Sequence, residues 1–251
     1  MTRFFDFHAR LGPAPGAVDR LLAAMDSAGI ERAAVSAGGV LDLDQLSRQI
    51  VQGGHVETDA DNRAVLAACQ GSAGRLLPFF FGNPHRDPDD YRRHAAGYRG
   101  LEISPAVHGV PLTDRRTTAL VEVAAEYGHP VYLVTLGRYG VRAPDLRTLA
   151  EKFPEVTFVL GHCGFIGIDT DAIARVAPND NVVVETSGAF MLTVRIALDR
   201  LGADRVLFGT EHPLQHPEVE LAKLRALDLD QDSMEKVAWR NAYRLLGEEI
   251  R

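Results

Sequence analysis

Short runs of apolar, β-branched and aromatic residues recur along the chain at 3–8, 32–36, 76–81, 100–104, 131–135, 156–161, 182–186 and 205–209. Several are almost continuously apolar, the pattern of parallel strands buried on both faces. Segments with helical spacing lie between them. Val18, Leu21, Leu22 and Met25 form one stripe, closed by Gly29. Leu120, Val121, Val123, Ala124 and Tyr127 form another, closed by Gly128 and followed by Pro130. The spacing predicts further helices over 63–69, 87–97, 143–152, 170–176, 191–201, 218–226 and 233–246. Eight strand–helix alternations with short joints predict an α/β fold, a (β/α)8 barrel of TIM type, as one domain over residues 1–251. An open doubly wound sheet is the alternative. No Gly-x-Gly-x-x-Gly follows a strand, so a Rossmann nucleotide site has no support. The joint at 38–61 is longer than the others and carries Gly38-Gly39, Gly53-Gly54 and His55. Loops of this length act as substrate lids or are surface excursions holding a short helix.

Composition narrows the function classes. A chain of 251 residues is long enough to bury a full core. Its net charge of -7 and scattered basic residues, paired only at Arg92-Arg93 and Arg115-Arg116, argue against a nucleic-acid partner. No apolar run approaches the roughly 18 residues of a membrane span. Cys69 and Cys163 form neither a disulfide framework nor a CxxC pair. The first residues lead into a strand without a signal-peptide pattern, so a reducing cytoplasm is expected. A homodimer is a common state for such a protein.

In a (β/α)8 barrel the active site lies at the C-terminal ends of the strands. Those ends carry His8 and Arg10, Asn83 and His85, Glu102 and Ser104, Thr135 with Arg138 and Tyr139 beyond, His162 and Cys163, Glu185 to Ser187, and Glu211 with His212. Alternation puts Cys163 opposite His162, facing a helix, and sends Asp6 and His8 to one side if their strand is regular. Ser187 lacks a Gly-x-Ser-x-Gly elbow, so a Ser-His-Asp triad is not supported.

In order and spacing these pieces resemble the amidohydrolase superfamily, in the branch that includes metal-dependent decarboxylases and lactonases. Asp6-Phe7-His8-Ala9-Arg10-Leu11-Gly12 is similar to its opening Asp-x-His-x-His-x-Gly. Residues 75–84 resemble its third strand and following Asn-Pro, and 99–105 its Gly-x-Lys-x-His-Pro strand. Residues 130–137 stand where it carries Pro-Val-x-x-His-Thr-Gly. Residues 160–164 fit its Gly-His-x-Gly strand, and 207–213 its Phe-Gly-Ser-Asp-x-Pro strand. The resemblance implies metal ligands at two strand-1 histidines, a strand-5 histidine and a strand-8 aspartate. This chain keeps His8, places Arg10 and Val134 at two of the histidine positions, and lengthens the aspartate to Glu211.

A guanidinium is a permanent cation without a lone pair, and a divalent ion a few Å away would be repelled by several kcal/mol. No cofactor is therefore expected; Zn2+ held by His8, His162 and Glu211 is the alternative, with His212 or His55 as a distant fourth donor. The resemblance puts Glu211 at the catalytic carboxylate, here a general base, and His162 at the proton-transfer group, with His8 beside them. Arg10 is expected to bind a substrate oxygen or carboxylate, and Glu102, Arg138, Tyr139 and His212 to line a small, anionic substrate. The first reading is a hydrolase of an amide, lactone or carboxylate compound. A decarboxylase or other lyase, and a catalytically silent barrel that binds a ligand or partner, are the alternatives.

Overall fold

The computed structural model describes residues 2–248. Eight strands, β1 (Phe5–Leu11), β2 (Arg32–Ala37), β3 (Leu76–Gly82), β4 (Gly100–Ile103), β5 (Val131–Leu133), β6 (Phe158–Leu160), β7 (Val182–Glu185) and β8 (Val206–Leu207), follow one another around a parallel sheet in chain order. Backbone bonds from Phe7 N to Phe208 O (2.9 Å) and from Arg10 N to His212 O (2.8 Å), with Glu211 N to His8 O (2.8 Å), join the last strand to the first. The fold is the predicted (β/α)8 barrel. Each strand is buried on both faces because helices cover the outside and side chains fill the inside, which is why the strands read as apolar runs.

Two helical segments differ from their prediction. The 87–97 stretch breaks into Asp89–Arg92 and a 3-10 turn at Ala95–Gly97. The final helix is interrupted by a π turn, Lys236–Arg240. There the Val237 carbonyl accepts from Phe208 N (3.0 Å), and Asn241 N reaches back to the Lys236 carbonyl instead. A carbonyl diverted to the barrel thus displaces the helical ladder by one residue.

The long joint carries a helix, Leu43–Gln52, opened by Asp42, whose carboxylate accepts from Gln45 N at 2.7 Å. Gln49 is buried and donates to the carbonyls of Ala106 (3.0 Å) and Val107 (3.1 Å). Arg138 donates to the carbonyls of Gln49 (2.6 Å) and Ile50 (3.5 Å) at the helix's C-terminal end, where a cation is favoured. The joint is a lid helix pinned across the barrel mouth.

Inside the barrel, Tyr132 on β5 donates its hydroxyl to Glu185 on β7 at 3.0 Å. Two glycines make room for this pair. A methyl group on Gly161 would stand 2.3 Å from the Tyr132 hydroxyl oxygen, and one on Gly209 would stand 2.2 Å from Glu185 Oε1. Gly161→Ala and Gly209→Ala are each expected to cost about 1–3 kcal/mol through overpacking. Urea unfolding should show lower midpoints for both, and unchanged midpoints would contradict this packing.

Candidate active site

The ladder between β1 and β2 shifts register between Asp6 and Ala9. The bulge separates two residues that a regular strand would have aligned. Asp6 turns toward β8, where its buried carboxylate accepts from Thr210 N (2.9 Å), Thr210 Oγ1 (2.5 Å) and His8 N (3.1 Å). Burial pushes its pKa up to about 6 against those bonds. Asp6 thus fixes the β8 terminus and does not orient the His8 ring.

His8, Arg10, Glu102 and Glu211 form one charge cluster. Arg10 Nη2 donates to Glu102 Oε1 at 2.6 Å, and Arg10 Nε donates to Glu211 Oε1 at 2.9 Å. His8 Nε2 lies 3.3 Å from Glu102 Oε2, and its Nδ1 lies 2.5 Å from Glu211 Oε2. Both ring nitrogens therefore face a carboxylate oxygen. Burial disfavours the charged ring, yet Glu211 and Glu102 outweigh it and raise the His8 pKa to about 10. Burial likewise works against Glu102 and Glu211. Arg10 and His8 hold Glu102 down at about 2, and His8 with Arg10 and His162 holds Glu211 well below the usual carboxylate range. The His8 ring also stacks on Tyr132, centroids 3.9 Å apart.

Glu211 and His162 both have left-handed backbone, with φ of 56° and 60°. Such φ values are uncommon for residues other than glycine and cluster at functional sites. His162 Nδ1 sits 3.1 Å from Ser187 O and 3.0 Å from Ser187 Oγ. The Ser187 hydroxyl itself donates to Glu185 Oε2 at 2.8 Å. A carbonyl can only accept, so Nδ1 carries a proton toward Ser187, and Nε2 is turned toward Glu211. That nitrogen lies 3.5 Å from Glu211 Oε2.

The cluster opens into a cleft with two adjoining cavities of about 440 and 380 Å3, both lined by Arg10, Leu46, Ser104, Glu211 and Leu214. His162, Val134 and Thr135 line the first of these. A cavity of about 560 Å3 beside the end of β1 includes none of the charge cluster. Of the candidates read from sequence, His8, Arg10, Glu102, His162 and Glu211 come together. Arg138 is occupied by the lid helix. Tyr139 is 87% exposed and packs under Arg142. His212 is half-buried outside the lining of the cleft, and burial pushes its imidazole down. His55 is exposed and stacks on His85. Cys163 does not follow strand alternation, because 161–163 forms a 3-10 turn. Its buried thiol donates to the Glu185 carbonyl, and burial raises its pKa. The Glu185–Ser187 link to His162 and the Tyr132 stack were not read from sequence; three polar residues at one strand end were the only signal.

His8, His162 and Glu211 place donor atoms within 4.8 Å of one another. Two ligands on a tetrahedral zinc ion stand about 3.3 Å apart, given bonds near 2.0–2.1 Å. The His162–Glu211 separation matches this. His8 Nδ1 and Glu211 Oε2 stand closer, 2.5 Å apart, and both are buried without a hydrogen-bond partner.

The amidohydrolase family model matches residues 5–247. Among solved structures, a 2,6-dihydroxybenzoate decarboxylase from Rhizobium superposes with a TM-score of 0.73 at 17% identity, covering 98% of this chain and 99% of that one. A 5-carboxyvanillate decarboxylase from Novosphingobium aromaticivorans, solved with manganese and 4-hydroxy-3-methoxy-5-nitrobenzoic acid, gives 0.71 at 16% identity over 98% and 96%. A candidate 2-pyrone-4,6-dicarboxylic acid hydrolase from Pseudomonas putida gives 0.74 at 16% identity over 100% of both chains. At these identities the likeness is one of fold. A comparison with curated proteins finds no match. Since the family model spans the barrel from β1 to beyond the last helix, the chain belongs to the amidohydrolase family.

Proposed function

We propose that this protein hydrolyses an ester, lactone or amide without a metal ion, with His162 as general base and Arg10 as the group that stabilises the carbonyl oxygen. The observation that carries the reading is the placement of His162, whose Nδ1 is held by Ser187 while its Nε2 faces the cleft beside Glu211. A water held at Nε2 loses a proton to His162 as its oxygen attacks the carbonyl carbon. The charge growing on the carbonyl oxygen is met by guanidinium N–H groups of Arg10 not used by the two glutamates. The His162 imidazolium, 3.5 Å from the Glu211 carboxylate, then returns its proton to the leaving oxygen or nitrogen. Glu211 has a different role from the general base expected of it. Bound to Arg10 and His8, it is too weak a base to take a proton from water near neutral pH. It anchors the cation and steadies the imidazolium instead.

Two features support metal independence. Arg10 and Val134 replace donors with a cation and an alkyl group. The carboxylates of Glu211 and Glu102 raise the His8 pKa to about 10 against the cost of burial, and a ring that holds both protons offers no lone pair to a metal. The two decarboxylases of like fold favour a lyase as second reading.

His162→Asn is expected to lower kcat/KM on 4-nitrophenyl hexanoate by about 10²–10⁴-fold with the circular dichroism spectrum unchanged. Full activity in that variant, or CO2 release from 2,6-dihydroxybenzoate without ester cleavage, would contradict the hydrolase reading. Prolonged dialysis against EDTA or 1,10-phenanthroline is expected to leave the ester rate intact. Activity lost on dialysis and restored by zinc or manganese would place a metal in the reaction.

A further inference from the structure

The polar floor and the apolar walls of the cleft together constrain what it can accept. The floor offers no free cation. Arg10 is held between Glu102 and Glu211, and the His8 ring lies between the same two carboxylates. Among the described residues Arg10 is the sole Lys or Arg lining either lobe, and it is bound to both carboxylates within the protein. The other basic group that the sequence placed here, Arg138, donates to the lid-helix carbonyls. The remaining charged side chain on the lining, Asp42, is negative. A carboxylate entering this cleft would leave water and meet no uncompensated cation.

The walls are hydrocarbon. Leu46 and Ile50 line the cleft from the lid helix, which Gln49 and Arg138 hold in place. Leu136, Phe165 and Leu214 line it from the barrel side, and Val134 fills the position where the family carries an imidazole. One polar atom in the wall lacks a partner. Thr135 is 3% exposed, its Oγ1 has no hydrogen-bond partner, and it lines the same cavity as His162. An unpartnered neutral hydroxyl beside apolar side chains suits one uncharged oxygen of a ligand.

We infer that the cleft selects an uncharged ester or lactone with an apolar tail, the tail lying against Leu46, Ile50, Leu136 and Phe165 and one ligand oxygen accepting from Thr135, and that it discriminates against substrates carrying a second, free carboxylate. The inference rests on the hydrolase reading for the reaction but not for the binding preference. It departs from the anionic substrate expected from the sequence, because that expectation counted Arg10 and Arg138 as free cations.

The test separates the two readings. Calorimetric binding at pH 7 compares 2-octanone, a neutral carbonyl compound that cannot be hydrolysed, with octanoate of the same chain length. The ketone is expected to bind about tenfold or more tightly. Leu46→Arg, which adds a cation to a half-buried lid position, should reverse the order, and Thr135→Val should weaken the ketone while leaving octanoate weak. Turnover is measured in parallel on 4-nitrophenyl hexanoate and on the mono-4-nitrophenyl ester of adipic acid, where the neutral ester should have the higher kcat/KM by a similar factor. Octanoate binding as tightly as the ketone, or neither ligand binding, would overturn the inference. Ketone binding without cleavage of either ester would sustain the binding preference and defeat the hydrolase reading alone.

Discussion

The guanidinium of Arg10, clamped between Glu102 and Glu211, is the interaction on which the site is built. Without it two buried carboxylates would face one histidine, and one of them would have to take up a proton. Two unit charges 4 Å apart interact by about 4 kcal/mol at the effective dielectric of a partly buried site, and removing one member of such a buried pair costs about 3–5 kcal/mol. Arg10 is therefore a fixed part of the floor. Its planar fork reaches one carboxylate through Nε and the other through Nη2, which the single ammonium of a lysine could not do in the same geometry.

Support for His162 comes from further out. His162 depends on Ser187, and Ser187 on Glu185 through both its hydroxyl and its amide. The loop that follows is fastened by the helix after β8. Lys223 donates to the carbonyls of Thr186 (2.6 Å) and Ala189 (2.8 Å), and Glu220 accepts from Gly188 N (3.1 Å). Strained backbone at His162 and Glu211 persists because these bonds over-determine it. Such rigidity is what the proposed general base would require to hold water and carbonyl in register.

The barrel was legible because its strands are buried on both faces and its helices are amphipathic, and both patterns are local. Helices 143–152, 170–176 and 191–201 lie where the spacing puts them. The five residues of the site that converge were legible for a topological reason: strand ends of a barrel meet at one rim. What the chain did not disclose depends on pairings across the fold. The bulge after Asp6 turns that carboxylate from His8 to Thr210. The reach of Arg138 to the lid helix spans nearly ninety positions, and its charge is cancelled by carbonyls that no motif marks. Glu211 belongs here too: its position suggests a base, while Arg10 and His8, which only the folded geometry brings to it, hold its pKa well below the usual carboxylate range.

The proposed chemistry requires that His8, lying between the carboxylates of Glu102 and Glu211, hold both ring protons. Nitrogen-15 NMR of histidine-labelled protein, with His8 assigned by its absence from His8→Asn, reads this state directly. Two protonated ring nitrogens at neutral pH, persisting until the pH nears 10, are the predicted result. A His8 with one bare or metal-shifted nitrogen at pH 7 would contradict it.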